Sequence, residues 1–383
     1  MTSWDSQHYL SQGRAAGVDE TILLHAEKTA NRTLAVNPGA TVILSLGHLA
    51  HMSDVPYDYL RRVAQREKAF EPYRVFSLER NGEGWSRAPR TIYGPEPLLL
   101  RAQRWIHGNV LAKADVHDAS TAYGKDCSVV ETARRHCQAA WLIKMDVSNF
   151  FESILEPKIY PVFRRLGYQP LVAFELTRLC TWLRSTGNVG RRRHPTSSGP
   201  YFHPSIGHLP QGAPTSPMLA NLVAFDLDDE ISRLAKSEGL RYTRYADDIT
   251  LSFVGEGFSR KKASAVIGQC HSLMTARSLW PNRTKTRVVP PGVRKIVLGL
   301  LVDGDRPALT REFRSRMRQH LYYLETLGPS IHAANRGFDS VIGLQNHLFG
   351  LTAYALGVDR GWGREVMRRL RALPWPAVFE MPV

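Results

Sequence analysis

Two short β-like runs, Arg241–Tyr245 and 249–253, flank the tripeptide Ala246-Asp247-Asp248. The arms, RYTRY and ITLSF, are rich in β-branched and aromatic residues, which suit a pleated, half-buried surface. The pattern predicts a tight antiparallel hairpin with two adjacent carboxylates at its tip. On its own an Asp pair in a turn is ordinary, because Asp favours turns and solvent. Its company changes the reading. Trp141–Asp146 (WLIKMD) is a mostly apolar run ending in an acid, the pattern of a buried strand with a carboxylate at its C-terminal end. If hairpin and strand are neighbours in one sheet, Asp146, Asp247 and Asp248 converge. Hard oxygen ligands of that kind suit Mg²⁺. Two such ions about 3.5–4 Å apart clamp the attacking and leaving oxygens of an in-line phosphoryl displacement.

Charge points to the partner. The 383 residues include 50 Lys and Arg against 35 Asp and Glu, a formal net charge of +15. Such an excess suggests a polyanion, most commonly nucleic acid. At 43% hydrophobic and 22% charged, the composition is globular, and a chain this long buries a core without staples. Cys127, Cys137, Cys180 and Cys270 form no CxxC pair, so neither a zinc site nor a disulfide framework is expected, and a reducing cytoplasm is the expected compartment. The opening MTSWDSQHYL lacks the basic-then-apolar pattern of a signal peptide. No apolar run reaches the ~18 residues of a membrane span, so no membrane partner is expected.

The remaining elements read as follows. Residues 1–70 are expected to be helical, with Ile43, Leu44, Leu46, Leu49 and Met52, then Tyr57, Leu60 and Val63, at helical spacing. A hairpin with basic arms is expected over 73–95, turning at Asn81-Gly82-Glu83-Gly84. A helix is expected over 96–111, and two over 157–184, broken at Gly167 and Pro170. The stretch 191–205 reads as a basic loop or hairpin. One helix is predicted from Ser216 to Gly239, with Ser216 as its cap and Pro217 in its first turn. Another is predicted over 259–279, a strand over 296–302, and basic helices over 306–383.

Taken together, the motifs resemble those of a reverse transcriptase, and within that class a bacterial retron reverse transcriptase. The blocks that carry the resemblance are RAPRTIYGP at 87–95, IKMDVSNFFESI at 143–154, LPQGAPTSPMLANL at 209–222, RYADDITLSF at 244–253, NRTKTR at 282–287 and VLGLLVDG at 297–304. They follow the family's order. Two positions depart from the retron pattern: Thr132 stands for Asn in the Asn-Ala-x-x-His element, and Leu298 stands where Thr is usual in the V-x-G triplet.

The resemblance implies an α+β right-hand polymerase fold: a helical N-terminal extension (1–70), interleaved fingers and palm (71–304) and a basic helical thumb (305–383). It implies that Asp146, Asp247 and Asp248 are catalytic and bind two Mg²⁺ ions, with Mn²⁺ as an alternative. Phe151 resembles a steric gate beneath the sugar that selects dNTPs; neighbours on extended chain point oppositely, so Phe150 is the packing residue. Gln211 and Gly212 precede a helix N-terminus, where Gly lets a backbone approach a nucleotide and the helix end favours anions. Arg90, and Arg80 after it, resemble residues that grip a triphosphate through planar guanidinium groups. Lys285 is expected to neutralise or protonate leaving pyrophosphate. Val297 and Gly299 lie in the expected primer-supporting strand. Arg311, Arg314 and Arg318, at i, i+3 and i+7, share one helical face suited to an RNA backbone. His136 is expected to be structural.

The implied activity is RNA-directed DNA synthesis on a cognate structured non-coding RNA. Priming from a 2′-OH of that RNA would give a branched RNA–DNA product, msDNA, in antiphage defence with a separate effector protein. Two other readings stand beside it: a bacterial defence or intron-derived reverse transcriptase without a branched product, and an RNA-binding scaffold with a vestigial polymerase site.

Overall fold

The structure, a computed structural model, describes residues 4–68, 70–78, 90–125, 127–183 and 205–376. The chain opens with helices α1 (Ser6–Ala15), α2 (Glu20–Val36), α3 (Leu46–Ser53) and α4 (Tyr57–Gln65). Asp5, Asp19 and Ser45 cap the first three by accepting the N–H groups of His8, Thr21 and His48. The helical spacing that starts at Ile43 overreaches, because residues 40–45 are not helical. Their carbonyls are taken by side chains: the Tyr168 hydroxyl donates to Thr41 O at 2.8 Å and Gln169 Nε2 to Leu44 O at 2.7 Å.

Strands β1 (Tyr73–Leu78) and β2 (Arg90–Pro95) pair antiparallel as the expected hairpin arms. The expected turn at 81–84, with Arg80 and Arg87, lies outside the described residues. So do residues 184–204, which hold nearly all of the basic 191–205 stretch, and the chain beyond 376. Helix α5 (Pro97–Asn109) follows, then α6 (Val129–Arg134), β3 (Trp141–Asp146), α7 (Glu156–Arg165) and α8 (Pro170–Cys180).

The single helix expected from Ser216 is two, α9 (Ser216–Val223) and α10 (Phe225–Ser237), separated at Ala224. The apolar spacing runs through the bend because both pieces face one core, through Leu219 and Leu222 and then Leu227 and Ile231. Ser216 is not the cap. Thr215 holds that position, and Ser216 Oγ donates back to Pro210 O at 2.8 Å.

Next come β4 (Arg241–Tyr245), β5 (Asp248–Phe253), α11 (Arg260–Ala276) and β6 (Arg287–Val289). These strands and β3 form one antiparallel sheet in the order β4-β5-β3-β6. Ile249 and Leu251 on β5 enter the large core together with Leu227, Ile231 and Val266.

The strand expected over 296–302 is a tight hairpin of β7 (Ile296–Val297) and β8 (Leu300–Leu301), joined by β9 (Ala308–Leu309) into a second sheet. Leu298 (φ 48°) and Gly299 (φ 85°) make the turn, with the two positive φ angles of a two-residue hairpin loop. The small sheet crosses position 304 and packs Val297, Leu300 and Leu309 against Leu142 and Ala355. Helices α12 (Arg311–Asn335), α13 (Val341–Val358) and α14 (Arg360–Arg371) close the described chain around Met317, Leu321, Leu344, Leu348, Val366 and Leu370. Gly328 (φ 83°) and Pro329 break α12. Among the described residues, no helix is long and apolar enough to cross a membrane.

Candidate active site

The register of β3 and β5 places Asp146 directly opposite Asp248, and directly paired residues project from the same face of a sheet. Asp247 sits in the turn before β5, where its carbonyl accepts the Val147 N–H at 3.0 Å. The three acids therefore gather at one end of β3 and β5, as the sequence anticipated. Asp146 is only 6% exposed, and the other two are half-buried. Burial raises the Asp248 pKa; the Asp247 carboxylate adds to the rise and Asp146 adds less, while Lys144 and Lys285 oppose it. Negative charge is crowded here, and a cation would relieve it.

One cation is already in place. Lys285 Nζ lies 2.7 Å from Asp146 Oδ2. The segment carrying Lys285 is stitched to the end of β3: the Ser148 N–H donates to Trp280 O at 2.8 Å and the Asn282 N–H to Asp146 O at 2.7 Å. An ammonium seated on one carboxylate, beside a second whose charge is disfavoured, fits a cation-binding site. Among the described residues, no three His, Cys, Asp or Glu side chains form a ready-made ion cage. Mg²⁺ does not need one, since it is commonly held by one or two carboxylates plus waters and substrate phosphates.

Phe150 is buried at 4% exposure, while Phe151 is half-buried with its ring 6.4 Å from that of Tyr123. Tyr123 (φ 65°) is in turn 6.5 Å from Tyr245, ring to ring. A three-ring wall thus runs beside the acids. In the loop before α9, Gln211 O accepts the Tyr93 N–H of β2 at 2.7 Å. Gly212 has φ 117°, and a Cβ there would meet Ile92 Cγ2 at 2.8 Å and Tyr93 O at 2.9 Å. Only glycine tolerates both the angle and the approach. The described part of Arg90 is its backbone, at the start of β2; Arg80 lies outside the described residues.

The remaining candidates separate. The Val297 side chain is buried against Leu142 and Leu300, whereas Gly299 is in the turn. Arg311 and Arg318 are exposed. Arg314 differs: it pairs with Asp359 at 2.8 Å and its guanidinium lies 5.3 Å from the centre of the Trp362 ring. It joins α12 to the start of α14, a second engagement that its two neighbours on the helix do not share among the contacts described.

The sequence reading missed the most heavily bonded side chain in the site. Arg244, fully buried, donates through Nε and Nη2 to Asp228 at 2.7 and 2.6 Å. Its Nη1 donates to Asn221 Oδ1 and Ala246 O, both at 3.1 Å, and Nη2 also donates to Ser120 Oγ at 3.2 Å. Asp228 and Asn221 lie on separate helices, so no spacing announced the cluster. His136 behaves as expected. It is buried, with ring nitrogens 2.7 Å from Ser252 Oγ and Thr243 Oγ1, and burial pushes its pKa down to about 3. It is a neutral staple across β4 and β5.

The sequence is similar to known proteins. The reverse transcriptase (RNA-dependent DNA polymerase) family matches residues 98–297. The retron Ec86 reverse transcriptase of Escherichia coli is 31% identical over 252 residues, 66% of this chain and 70% of that protein. The retron Mx162 reverse transcriptase of Myxococcus xanthus is 31% identical over 296 residues, 74% of this chain and 58% of that protein. A telomerase structure from Candida albicans, with a fragment of telomeric RNA, aligns at TM-score 0.42 and 11% identity over 77% of this chain and 54% of that one. The family match spans the sheet and the strand ends that gather Asp146, Asp247 and Asp248, in a mixed α+β polymerase fold. The chain belongs to the reverse transcriptase family, as an RNA-directed DNA polymerase of the bacterial retron group.

Proposed function

We propose that this polymerase copies a dedicated structured non-coding RNA into msDNA, a branched RNA–DNA product primed from a 2′-OH within that RNA. We further propose that it does so in antiphage defence alongside a separate effector protein. The observation that carries the catalytic part is Asp146 opposite Asp248, with Asp247 at the adjoining turn. Reverse transcriptases generally use divalent metal ions. In this reading Asp146 and Asp247 hold two Mg²⁺ ions and Asp248 supports them. Ions bound there would neutralise and orient the oxygens of the phosphoryl transfer.

The chain's own residues do the rest. The half-buried Phe151 closes the space under the sugar and so favours dNTPs. Gln211 and Gly212 present backbone to the nucleotide where the loop abuts β2, and Arg80 and Arg90 are assigned to its phosphates. Lys285 meets the departing pyrophosphate as a positioned cation. Residues 1–70 form an extension, 71–304 fingers and palm, and 305–383 the thumb, whose Arg311 and Arg318 face the RNA.

The test is the product. Protein purified with its bound nucleic acid and supplied with Mg²⁺ and dNTPs should yield DNA joined to one structured RNA by a 2′–5′ linkage that a debranching enzyme cleaves. A linear product rules out branched priming, and random copurifying RNA rules out a dedicated template.

A further inference from the structure

We infer that Arg244 is a positioning residue, which holds the Ala246–Asp247 peptide in the orientation that presents Asp247 to the metal site. The inference rests on the reading that Asp247 binds metal. Ala246 has φ 56° at the first central position of the two-residue turn between Tyr245 and Asp248, a left-handed conformation that such hairpin turns call for and that costs a non-glycine residue energy, so it needs support. The carbonyl of this residue, one bond from the Asp247 nitrogen, accepts from Arg244 Nη1 at 3.1 Å. The guanidinium cannot drift. Each of its N–H groups is matched to an acceptor on Asp228, Asn221, Ser120 or Ala246, so the fork has no donor to spare. Asp228 is itself fully buried and also accepts from the Tyr242 hydroxyl at 2.6 Å.

The same hub reaches the aromatic wall. Its acceptor Ser120 lies in a loop held against β4, where the Thr121 N–H donates to Arg244 O at 2.9 Å. Asn221 Nδ2 donates to Ala122 O at 2.8 Å, next to Tyr123. One buried side chain therefore ties helices α9 and α10, the turn before Asp247 and the loop carrying Tyr123 into a single unit.

The experiment measures binding of Mn²⁺ alone, by electron paramagnetic resonance, to the folded, substrate-free protein. Arg244→Lys keeps the charge but cannot serve these acceptors together. It should weaken Mn²⁺ binding about tenfold or more, as loss of a group behind a metal ligand commonly does. The isosteric Asp228→Asn, which removes the anchoring charge with less disturbance of packing, should shift binding in the same direction. Folded Arg244→Lys or Asp228→Asn protein that binds Mn²⁺ as the wild type does overturns the inference. The control is Asp247→Asn. If that change leaves Mn²⁺ affinity intact, the metal-site assignment itself fails, a different outcome from failure of the positioning role alone. If neither Arg244→Lys nor Asp228→Asn folds, the wild type decides. Nitrogen-15 arginine spectra should show Arg244 side-chain protons that exchange slowly with water, and rapid exchange overturns the inference.

Discussion

Asp146 and Lys285, 139 residues apart, meet at 2.7 Å. The contact joins the end of β3 to the segment before β6. It places a positive charge on the acid that the reading assigns to both metal ions. Lys285 is about half exposed, at 51%, whereas Asp146 is buried, so the pair joins a solvent-facing cation to a carboxylate inside the fold.

Removing the charge of the hairpin acids should stop DNA synthesis without unfolding the protein. Asp247→Asn with Asp248→Asn is expected to abolish Mg²⁺-dependent primer extension on RNA while thermal stability and RNA binding persist. Neither side chain is part of the apolar core. Extension at the wild-type rate would remove these residues from the catalytic assignment.

Asp248 also makes a prediction about pH. Its pKa is raised in the folded protein, chiefly by burial and then by Asp247. The folded state therefore holds this proton more tightly than the unfolded chain does. Its contribution to stability is most favourable at low pH and falls as pH rises from the ordinary carboxylate range through the raised value. Asp248→Asn removes that fall. In metal-free buffer the variant should melt higher than the wild type at pH 8 and show no such advantage at pH 3. Parallel melting curves across pH would fail to support crowding of these carboxylates.

Opening the aromatic wall should change sugar selection. Phe151→Ala is expected to raise rNTP incorporation relative to dNTP in competitive single-nucleotide extension. If activity survives and the ratio does not move, Phe151 packs against Tyr123 and does not gate.

Gly212 is the strictest backbone position near the site. A methyl group there meets the Tyr93 carbonyl at a φ of 117°, and such strain costs on the order of 1–3 kcal/mol. Gly212→Ala should lower the melting temperature and raise the KM for dNTP, because the Gln211–Tyr93 contact must shift. A variant with wild-type stability and KM would show that the loop has room the structure does not indicate.

The arginines of α12 should divide by environment. Arg311→Gln with Arg318→Gln is expected to weaken RNA binding and flatten its salt dependence, since each lost phosphate contact lowers the slope. Arg314→Gln should instead lower thermal stability, because it breaks the pair with Asp359. RNA affinity measured at several salt concentrations, with melting curves, separates the two effects. An unchanged slope in the double variant would place the RNA elsewhere.

Local chemistry alone determined much of this protein. Alternating β-branched and aromatic residues around Ala246-Asp247-Asp248 required a hairpin, the WLIKMD run required a buried strand, and the order of the motif blocks identified the family. The first two are patterns within a few residues and the last is an order along the chain, and all three survive in one dimension. Tertiary structure decided what depended on distant partners. Residues 40–45 are not helical, and the side chains of Tyr168 and Gln169, far along the chain, take the carbonyls of Thr41 and Leu44. The run at 296–302 turns because Leu298 and Gly299 adopt positive φ, which apolar character does not reveal. Arg314 looks like its neighbours on the helix until Asp359 and Trp362 arrive from α14. Arg244 was invisible for the same reason. A buried guanidinium is defined by its acceptors, and apart from the nearby Ala246 those come from Ser120, Asn221 and Asp228, which only the folded chain brings to it.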